Sequence, residues 1–588
     1  MFKLKINTNE LKQNKIIIFL IVFIILIAGV KLLTLSHATG PYTSAEAESG
    51  VRSGTTIYTD SSASGGSAVR FGSANTGTTY YVSASGSDSN SGTSQSSPWQ
   101  TIAHVNSHTF SAGQSILFEG GSTFSGNLTF TSSEAGTSTS PITIGSYGSG
   151  LATINGGNGS AIIIDNTQGY DVNNLNLVGS GTSTNTGDGI NIYNSSSTNE
   201  TYFYITNVSS TGFENGLSVD GTNSGTDLSN ITVTHSTFYG NGRNGIVTFG
   251  PIPTSSSGPF AISNMVVSYV TAYNNIGDPS LTGTNNSGNG VDLGSTNNST
   301  IEYSSAYDNG ASCTDSACGV GLWGYDSNNL TIEHNVSYDN QTGSSADGDG
   351  FDFDENTSNS TMEYNYSYGN AGSGFLLFGV TNNNLHTNNT VRYNISQNDG
   401  RKNSYGGIET YGNVSGDSIY NNTVYMSKPS SGTPFPLEVY TLGSGLTTIR
   451  NNIFEVGSGL SSVAYVSYAP STSSLEMQSN DYYPMSVYYG STNYTSLSNF
   501  QSSTGQEKNS GSSIGFAVNP DLTNAGSGTL ITDPTTLSTL SQYKLVTGSP
   551  LINTGLKLNS VFGTNTGGVD FYGVTVPSSS GQSVGAAQ

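Results

Sequence analysis

The densest cluster of reactive side chains in the sequence is an acidic segment that begins at Asp347. The segment Asp347-Gly-Asp-Gly-Phe-Asp-Phe-Asp-Glu355 places five carboxylates within nine residues. Crowded carboxylates push their pKa values apart, so one can act as a general acid while another acts as a base. Such a density of oxygen ligands also suits Ca²⁺, for which Asp347, Asp349 and Asp352 are the predicted ligands. The segment therefore predicts either acid–base catalysis or a calcium site.

The spacing of three carboxylates fits hydrolysis of a glycosidic bond. Asp352 and Asp354 are alternate residues, which lie about 6.6 Å apart on one side of a strand. Glu409 occupies the equivalent position two repeat units later, about 9.6 Å from Asp352 at about 4.8 Å per unit. Inverting glycosidases hold their two carboxyl groups about 6.5–9.5 Å apart, with a water between them. We therefore predict Asp352, Asp354 and Glu409 as catalytic residues, with Asp292 as a supporting, substrate-binding carboxylate.

Large aromatic side chains interleave with these carboxylates. Phe249, Phe378 and Tyr411 are each the fourth residue after the glycine that opens a strand, and Trp323 is the fourth after Gly319. We predict that these positions face solvent and form one column with Asp354. Exposed rings of this size are costly unless something covers them, and their flat faces suit the apolar faces of sugar rings. Trp323, Tyr411 and Phe378 are therefore predicted to bind sugar, and loops folded over the rings are the alternative.

Basic side chains near the cluster are few. Arg401 and Lys402 precede the segment that carries Glu409, and Arg243 precedes an equivalent segment. Arg401 and Lys402 are candidates for binding an acidic sugar, with solvated loop charge as the alternative. The net charge of the chain is −23, which argues against a nucleic-acid partner because phosphate binding needs clustered Lys and Arg.

The composition indicates which kind of fold positions these residues. Only 9% of the 588 residues are charged, and 75 are Gly, which suggests either disorder or a β structure with many tight corners. The 34 Tyr and 23 Phe argue against disorder, because a chain without a core rarely carries so many aromatic residues.

An internal repeat of 28 to 34 residues runs through the chain. Each unit alternates apolar and polar residues, as a β-strand does, and ends in Asn, which tolerates the left-handed turn conformation. Stacked at one corner, such Asn side chains can form a ladder. The copies begin at Val172, Ile205, Val233, Val267, Ile301, Ile332, Met362, Val391, Ile419 and Ile449.

A second short strand follows Gly in most units, as in Gly350-Phe-Asp-Phe353. Two or three strands per period, without helical periodicity, exclude a propeller and a leucine-rich repeat. The sequence therefore predicts an all-β fold, a right-handed parallel β-helix of about ten coils over residues 79–500, in which stacking builds one core. Four long corner insertions, near 276–288, 310–318, 341–348 and 399–405, all precede strands of the candidate face and are predicted to wall a groove.

Several segments resemble secreted right-handed β-helix proteins of the pectate-lyase-like superfamily. The beginning, Tyr80-Tyr-Val-Ser-Ala-Ser-Gly-Ser-Asp-Ser-Asn-Ser-Gly-Thr93, and the end, Ser583-Val-Gly-Ala-Ala587, are similar to those of many members. The resemblance covers roughly residues 79–588 and implies a short N-terminal capping helix within Trp99–Val105. It specifies the fold and not the reaction, because the superfamily includes lyases, hydrolases, epimerases and non-enzymes.

The acidic segment also resembles the calcium-binding strand of polysaccharide lyase family 9. Asp349 and Asp352 match that family's pattern, whereas Gly348 stands where the family has another aspartate. The family's catalytic base is a lysine directly after Gly-Phe on the next coil, and this chain has Leu376 there. The resemblance implies Ca²⁺-dependent elimination, and the missing lysine favours hydrolysis.

The N-terminus carries an export signal. Lysines precede an apolar run from Ile16 to Val30, so residues 1–38 are predicted to be a signal peptide or a membrane anchor. Residues 39–78 are interpreted as a linker or a remnant of a carbohydrate-binding module, and residues 501–588 as strands and loops that pack on the β-helix. In an exported protein, Cys313 and Cys318 are predicted to form a local disulfide.

Two functions remain open at the level of the sequence. The first is an extracellular polysaccharide-degrading enzyme, with a glycoside hydrolase favoured over a calcium-dependent lyase. The alternative is a non-catalytic surface protein that binds glycan as an adhesin. Both imply a monomer outside the cell, secreted or anchored through the N-terminal segment, with a polysaccharide as its partner.

Overall fold

The structure, a computed structural model, describes residues 55–59, 67–71 and 77–588, except 282, 284–285, 381–384 and 579. The predicted signal peptide or anchor, residues 1–38, lies outside the described residues. None of the helices that the structure describes is long and apolar enough to cross a membrane. Strands Thr55–Thr59 and Ser67–Phe71 pair antiparallel in one unit of the chain, and the described residues from 77 onward belong to another.

The second unit is the predicted parallel β-helix, and this prediction is confirmed. It has about 12 turns, slightly more than predicted, because turns near both ends lack the Asn-terminated repeat. Strands of successive turns pair in parallel and in register, as between Asp349–Phe353 and Phe375–Gly379. Each turn contributes strands to three parallel stacks, which we call the groove sheet and the first and second outer sheets.

The groove sheet has fourteen strands, of which the last pairs antiparallel with its neighbour. Its strands are Leu128–Phe130, Ile162–Asp165, Ile190–Asn194, Asn215–Gly221, Asn244–Phe249, Asn289–Gly294, Val320–Tyr325, Asp349–Phe353, Phe375–Gly379, Ile408–Gly412, Leu437–Val439, Ala464–Val466, Val487–Tyr489 and Thr492–Tyr494.

Two long strands, Tyr170–Gly179 and Glu200–Thr211, run through both outer sheets. The other strands of the first outer sheet are Thr79–Val82, Ser115–Glu119, Ile142–Tyr147, Leu228–Thr234, Ile262–Ser268, Thr296–Asn297, Thr300–Glu302, Thr331–Glu333, Thr361–Glu363, Thr390–Arg392, Ser418–Tyr420, Thr447–Arg450 and Leu475–Gln478. Those of the second are Thr123–Ser125, Ala152–Gly157, Thr237–Tyr239, Thr271–Tyr273, Ser305–Tyr307, Val336–Tyr338, Tyr366–Tyr368, Ile395–Gln397, Thr423–Met426, Ile453–Val456 and Asp481–Tyr483.

The predicted capping helix is present, and it is shorter than the segment proposed for it. It spans Ile102–Val105, and the Thr101 side chain accepts a hydrogen bond from the His104 N–H at its start. Trp99 precedes the helix, is buried and stacks on Tyr80 with ring centroids 4.7 Å apart. The cap thus covers the apolar end of the first turns.

Asn side chains form the predicted ladder along one corner. Asn340 Nδ2 donates to Asn370 Oδ1 at 2.9 Å, and Asn370 Nδ2 donates to Asp399 Oδ1 at 2.9 Å. The ladder begins at Asn241 and continues through Asn275 and Asn309. A second buried ladder, which the repeat did not predict, contains Asn335, Asn365, Asn394, Asn422, Asn452 and Asn480 and ends at Glu507. These ladders satisfy buried polar groups at the turns.

The C-terminal residues pack on the outer sheets and, through Phe500 of their first helix, on the last strands of the groove sheet. They contain helices Leu497–Thr504 and Leu558–Phe562, the 3₁₀ helices Pro534–Thr539 and Ser541–Tyr543, and a two-stranded pair, Lys508–Asn509 with Ser512–Ser513. Tyr543 belongs to a buried cluster with Tyr366 and Tyr393, and its hydroxyl donates to Gln397 Oε1 at 2.6 Å. Because this cluster involves the outer sheets, it does not cover the groove sheet.

Candidate active site

A cavity of about 810 Å³ lies over the groove sheet. Each of the four corner insertions that were predicted to wall a groove contributes to its lining, through Asn286, Ser316 with Ala317, Ala346 with Asp347, and Tyr405. The floor consists of outward-facing groove-sheet residues. The floor residues include Asp292, Trp323, Asp352, Leu376, Phe378, Glu409 and Tyr411.

Strand register places five of these residues in one column across successive turns. Asp292 pairs with Trp323, Trp323 with Asp352, Asp352 with Leu376, and Leu376 with Glu409. Asp352 and Glu409 are therefore two turns apart, as the sequence predicted. With about 4.8 Å per turn, their strand positions are about 9.6 Å apart.

The sequence placed Trp323 one column away from its position in the structure. Counting from Gly319 assigned the tryptophan to the column of Asp354 and Tyr411. The structure instead makes Gly321 the equivalent of Gly350, since Leu322 pairs with Phe351 and Trp323 with Asp352. Trp323 consequently lies between Asp292 and Asp352.

Burial of this column also differs from the sequence prediction. Trp323, predicted to be exposed, is only 3% exposed, and Asp352 and Glu409 are 2% and 3% exposed. Phe249 and Tyr411 are exposed as predicted, at 37% and 47%, and Phe378 is half-buried. The corner insertions cover the column, so the alternative of loops folded over the rings holds for Trp323.

Buried polar atoms of the floor lack protein partners. Asp352 Oδ1, Asp292 Oδ1 and Trp323 Nε1 are buried and accept or donate no hydrogen bond within the described residues. An unsatisfied buried polar group costs about 1–3 kcal/mol. Three such groups side by side in a cavity therefore point to a polar ligand that satisfies them.

Glu409, in contrast, is held by the protein. Its Oε2 accepts hydrogen bonds from the Ser373 hydroxyl at 3.0 Å and from the Gly406 N–H at 2.9 Å. Hydrogen bonds to the charged form favour it. Glu409 is thus oriented and partly stabilised as a carboxylate, which Asp352 is not.

The different environments of Asp352 and Glu409 give the two carboxyl groups different pKa values. Burial, followed by the nearby charge of Asp354, raises the pKa of Asp352 well above its usual value. Burial also raises the pKa of Glu409, to about 7, but the bonds from Gly406 and Ser373 oppose this shift. Burial raises the pKa of Asp354 to about 7 as well. The surroundings therefore favour the protonated form of Asp352 more strongly than that of Glu409, whose carboxylate is held by two hydrogen bonds.

Asp354 directly follows the strand Asp349–Phe353 and lines the cavity, half-buried. Its Oδ1 accepts a hydrogen bond from the Glu355 N–H at 2.5 Å. Phe378 and Tyr411 pair across neighbouring strands, and their rings stack with centroids 5.8 Å apart. The structure therefore brings all three predicted catalytic residues and the three predicted sugar-binding aromatics to one cavity.

The predicted calcium ligands do not converge. Among the residues that the structure describes, no group of three or more His, Cys, Asp or Glu side chains could hold a metal ion. Asp347 Oδ2 accepts a hydrogen bond from the Cys318 N–H at 2.6 Å, and Asp349 Oδ1 accepts one from the Ser373 N–H. Only Asp347 and Asp352 of the three line the cavity. The residues as arranged do not fit a calcium site.

The predicted substrate-binding role of Arg401 and Lys402 has no support in the geometry. Arg401 donates to the Ser427 carbonyl at 2.7 Å, and Lys402 donates to the Thr342 carbonyl. Neither residue lines the cavity. Both side chains donate hydrogen bonds to backbone carbonyls of neighbouring loops. The geometry therefore favours the alternative interpretation, in which they are charged loop residues that do not bind the substrate.

Several residues of the site were missed by sequence reasoning. Glu438 continues the column, since it pairs with Glu409, and Tyr440 and Tyr405 line the cavity. Glu438 escaped notice because its strand follows Pro436 and not a glycine. The alternation of apolar Leu437 and Val439 around it is the signal that would have found it.

The predicted disulfide is present. Cys313 and Cys318 are bonded, with Cα atoms 5.6 Å apart. The loop that they close contributes Ser316 and Ala317 to the cavity lining. The disulfide therefore restrains one wall of the cavity, next to Asp347.

No family model matches the chain. Over 75 residues, 12% of this chain, the sequence is 44% identical to a lacto-N-biosidase of Bifidobacterium longum subsp. longum. The match spans only 5% of that protein's length.

Among solved structures, the fold is similar to that of a lacto-N-biosidase of family GH136 from Eubacterium ramulus, at 17% identity, with coverage of 68% of this chain and 67% of that chain and a TM-score of 0.46. It is also similar to the pectate lyase Pel9A, at 17% identity, with coverage of 87% and 96% and a TM-score of 0.39. Both similarities concern the fold.

Proposed function

We propose that the chain is an exported glycoside hydrolase that cleaves a polysaccharide in the cavity over the groove sheet. The observation that carries the proposal is the pair Asp352 and Glu409, two turns apart in one column, with unlike surroundings. Their strand positions are about 9.6 Å apart, close to the carboxyl separation of about 6.5–9.5 Å with which inverting glycosidases admit a water.

In the proposed reaction Asp352 is the general acid. Burial keeps its carboxyl group protonated, so it donates that proton to the glycosidic oxygen as the bond to the anomeric carbon breaks. Glu409, oriented by Ser373 and Gly406, takes a proton from the water that attacks the anomeric carbon from the other side. The product carries the inverted configuration, and proton exchange with solvent resets both groups.

Asp354 and the aromatic residues have supporting roles in this proposal. A charge on Asp354 raises the pKa of Asp352 and so helps to keep the acid protonated. Tyr411 and Phe378 present stacked rings at the cavity, suited to the apolar face of a sugar. The 75-residue similarity to a lacto-N-biosidase supports a carbohydrate-active role.

Elimination and binding without cleavage are the competing functions. Leu376 lies in the column between Asp352 and Glu409, where the lyase family that the segment resembles has its lysine base. The N-terminal apolar segment and the Cys313–Cys318 disulfide support action outside the cytoplasm in either case.

One assay separates the three functions. Purified protein is incubated with a panel of polysaccharides, with and without EDTA, and reducing ends and absorbance of unsaturated products are followed. New reducing ends without absorbance, insensitive to EDTA, are the expected result. Absorbance of unsaturated products would show that the reaction is elimination and not hydrolysis. Binding of a polymer without new reducing ends would show that the chain is a glycan-binding protein.

A further inference from the structure

A row of aromatic side chains begins in the cavity and continues along the groove sheet toward its C-terminal strands. We call this row the aromatic track. It consists of Phe378, Tyr411, Tyr440, Tyr465 and Tyr488. The first three line the cavity, and the last two lie beyond it.

The track is continuous from ring to ring. Centroids are 5.6 Å apart between Tyr411 and Tyr440, 5.7 Å between Tyr440 and Tyr465, and 6.3 Å between Tyr465 and Tyr488. Tyr465 pairs with Glu438 and with Tyr488 across neighbouring strands. Tyr465 and Tyr488 therefore continue the column of Asp352 and Glu409, whereas Phe378 and Tyr411 belong to the neighbouring column. The whole track spans about 19 Å over four turn-to-turn steps.

The rings of the track are accessible. Tyr411 is 47% exposed, and Phe378, Tyr440, Tyr465 and Tyr488 are half-buried. The tyrosines of the outer sheets that the C-terminal segment covers, such as Tyr366 and Tyr393, are instead fully buried. The stacked row on the second outer sheet that includes Tyr239 and Tyr273 is half-buried as well. The track differs from that row because it begins in the cavity, and this position marks it as a binding surface.

The charges of the cavity indicate which ligand the track takes. Six carboxylates line the described part of the cavity, Asp292, Asp347, Asp352, Asp354, Glu355 and Glu409. Arg243 is the single cation among those lining residues, and it pairs with Glu214 at 3.0 Å. An anionic sugar in this cavity would meet like charge or force further protonation, because like charges disfavour the charged form.

We infer that the substrate is an uncharged polysaccharide chain that lies along the helix axis, with several sugar units beyond the cleavage point stacked on Tyr440, Tyr465 and Tyr488. The inference rests on the proposed function and adds a direction and a class of polymer to it. Uncharged sugars suit the track because ring faces contribute stacking without needing counter-charges. The continuity between Tyr440 at the cavity and Tyr465 outside it makes track and cavity one site.

Affinity gel electrophoresis tests this inference without requiring cleavage. The Glu409→Gln protein, which leaves the polymer intact, is run in gels that contain neutral polymers (a β-glucan, a mannan, a galactan) or polyanions (polygalacturonate, alginate). The double variant Tyr465→Ala/Tyr488→Ala in the same background removes the outer track. Tyr239→Ala/Tyr273→Ala is the matched control, because these rings also stack, 5.0 Å apart, but lie on the second outer sheet.

We expect at least one neutral polymer to retard the parent protein, and removal of the outer track to weaken that binding about tenfold or more. The control pair should bind like the parent. Retardation by polyanions alone, no retardation by a neutral polymer, or equal binding by the track variant would overturn the inference. If the wild-type protein binds a neutral polymer through the track but releases no reducing ends, the proposed hydrolase activity is rejected and the proposed binding surface is retained.

Discussion

Asp352 and Glu409 point from the same column of the groove sheet into one cavity, separated by the single turn that carries Leu376. Asp352 has a buried oxygen without a partner among the described residues, whereas Glu409 accepts two hydrogen bonds from the protein. Parallel in-register stacking fixes the distance between them, and their surroundings make them chemically unequal. Substitution of either residue should therefore have a different consequence.

Replacing Asp352 with Asn should abolish cleavage while preserving the fold. Loss of a general acid or base typically costs 10²–10⁴-fold in rate, and the amide has nearly the same shape as the protonated acid. Reducing-end release measures the rate, and circular dichroism checks the fold. The control is Asp308→Asn, because Asp308 directly follows the strand Ser305–Tyr307 of the second outer sheet. Wild-type turnover in the Asp352 variant would remove this residue from the mechanism.

Replacing Glu409 with Ala should abolish hydrolysis in a way that azide restores. The shortened side chain leaves room for the anion, which can attack the anomeric carbon where water no longer can. Nuclear magnetic resonance would then show a glycosyl azide of inverted configuration. A glycosyl azide of retained configuration would mean that Glu409 is the general acid and not the base. If azide restored activity to an Asp354→Ala protein and not to the Glu409 variant, Asp354 would be the base.

The pH dependence of kcat/KM should be bell-shaped. Glu409 must be ionised to accept a proton, and its pKa is raised to about 7, so activity should fall as the pH drops through about 7. Asp352 must be protonated, and its pKa is raised well above the usual range, so activity should fall again at higher pH.

The Asp354→Asn variant checks which residue is the acid and which is the base. Since the charge of Asp354 contributes to the raised pKa of Asp352 but not to that of Glu409, the alkaline limb should shift to lower pH and the acidic limb should stay. A shift of the acidic limb alone would contradict the assignment of Asp352 as acid and Glu409 as base.

Replacing Asn370 with Ala should destabilise the β-helix. Its Oδ1 accepts from the Asn340 backbone N–H at 3.0 Å and from the Asn340 side chain at 2.9 Å. The substitution would leave the buried N–H without this partner, whereas the side chain would keep its hydrogen bond to Ser337 Oγ. A buried polar group left without a partner costs about 1–3 kcal/mol, so denaturant unfolding should show a loss of at least about 1–3 kcal/mol. Asn499→Ala, exposed in the helix Leu497–Thr504, should be nearly neutral.

Much of the site was predictable because it depends on the repeat. The alternation around Asp352 and Glu409 predicted that both point out of the same sheet, and the register confirms their placement two turns apart. The repeat failed at Trp323, where glycines on both sides of Val320 offered two registers. Pairing with the strand Asp349–Phe353 of the next turn, which no local pattern reveals, shows that Gly321 is the corner.

By itself, the sequence determined the parallel β-helix, the Asn ladder and the carboxylate column, because strand alternation and corner residues are local properties repeated every turn. Only the tertiary structure decided that Asp352 is buried, that Trp323 lies beside it, and that Arg401 turns away to the Ser427 carbonyl. Those outcomes depend on loops of different turns meeting over one sheet. Their packing, and the desolvation that it causes, follows from the positions of residues far apart in the chain.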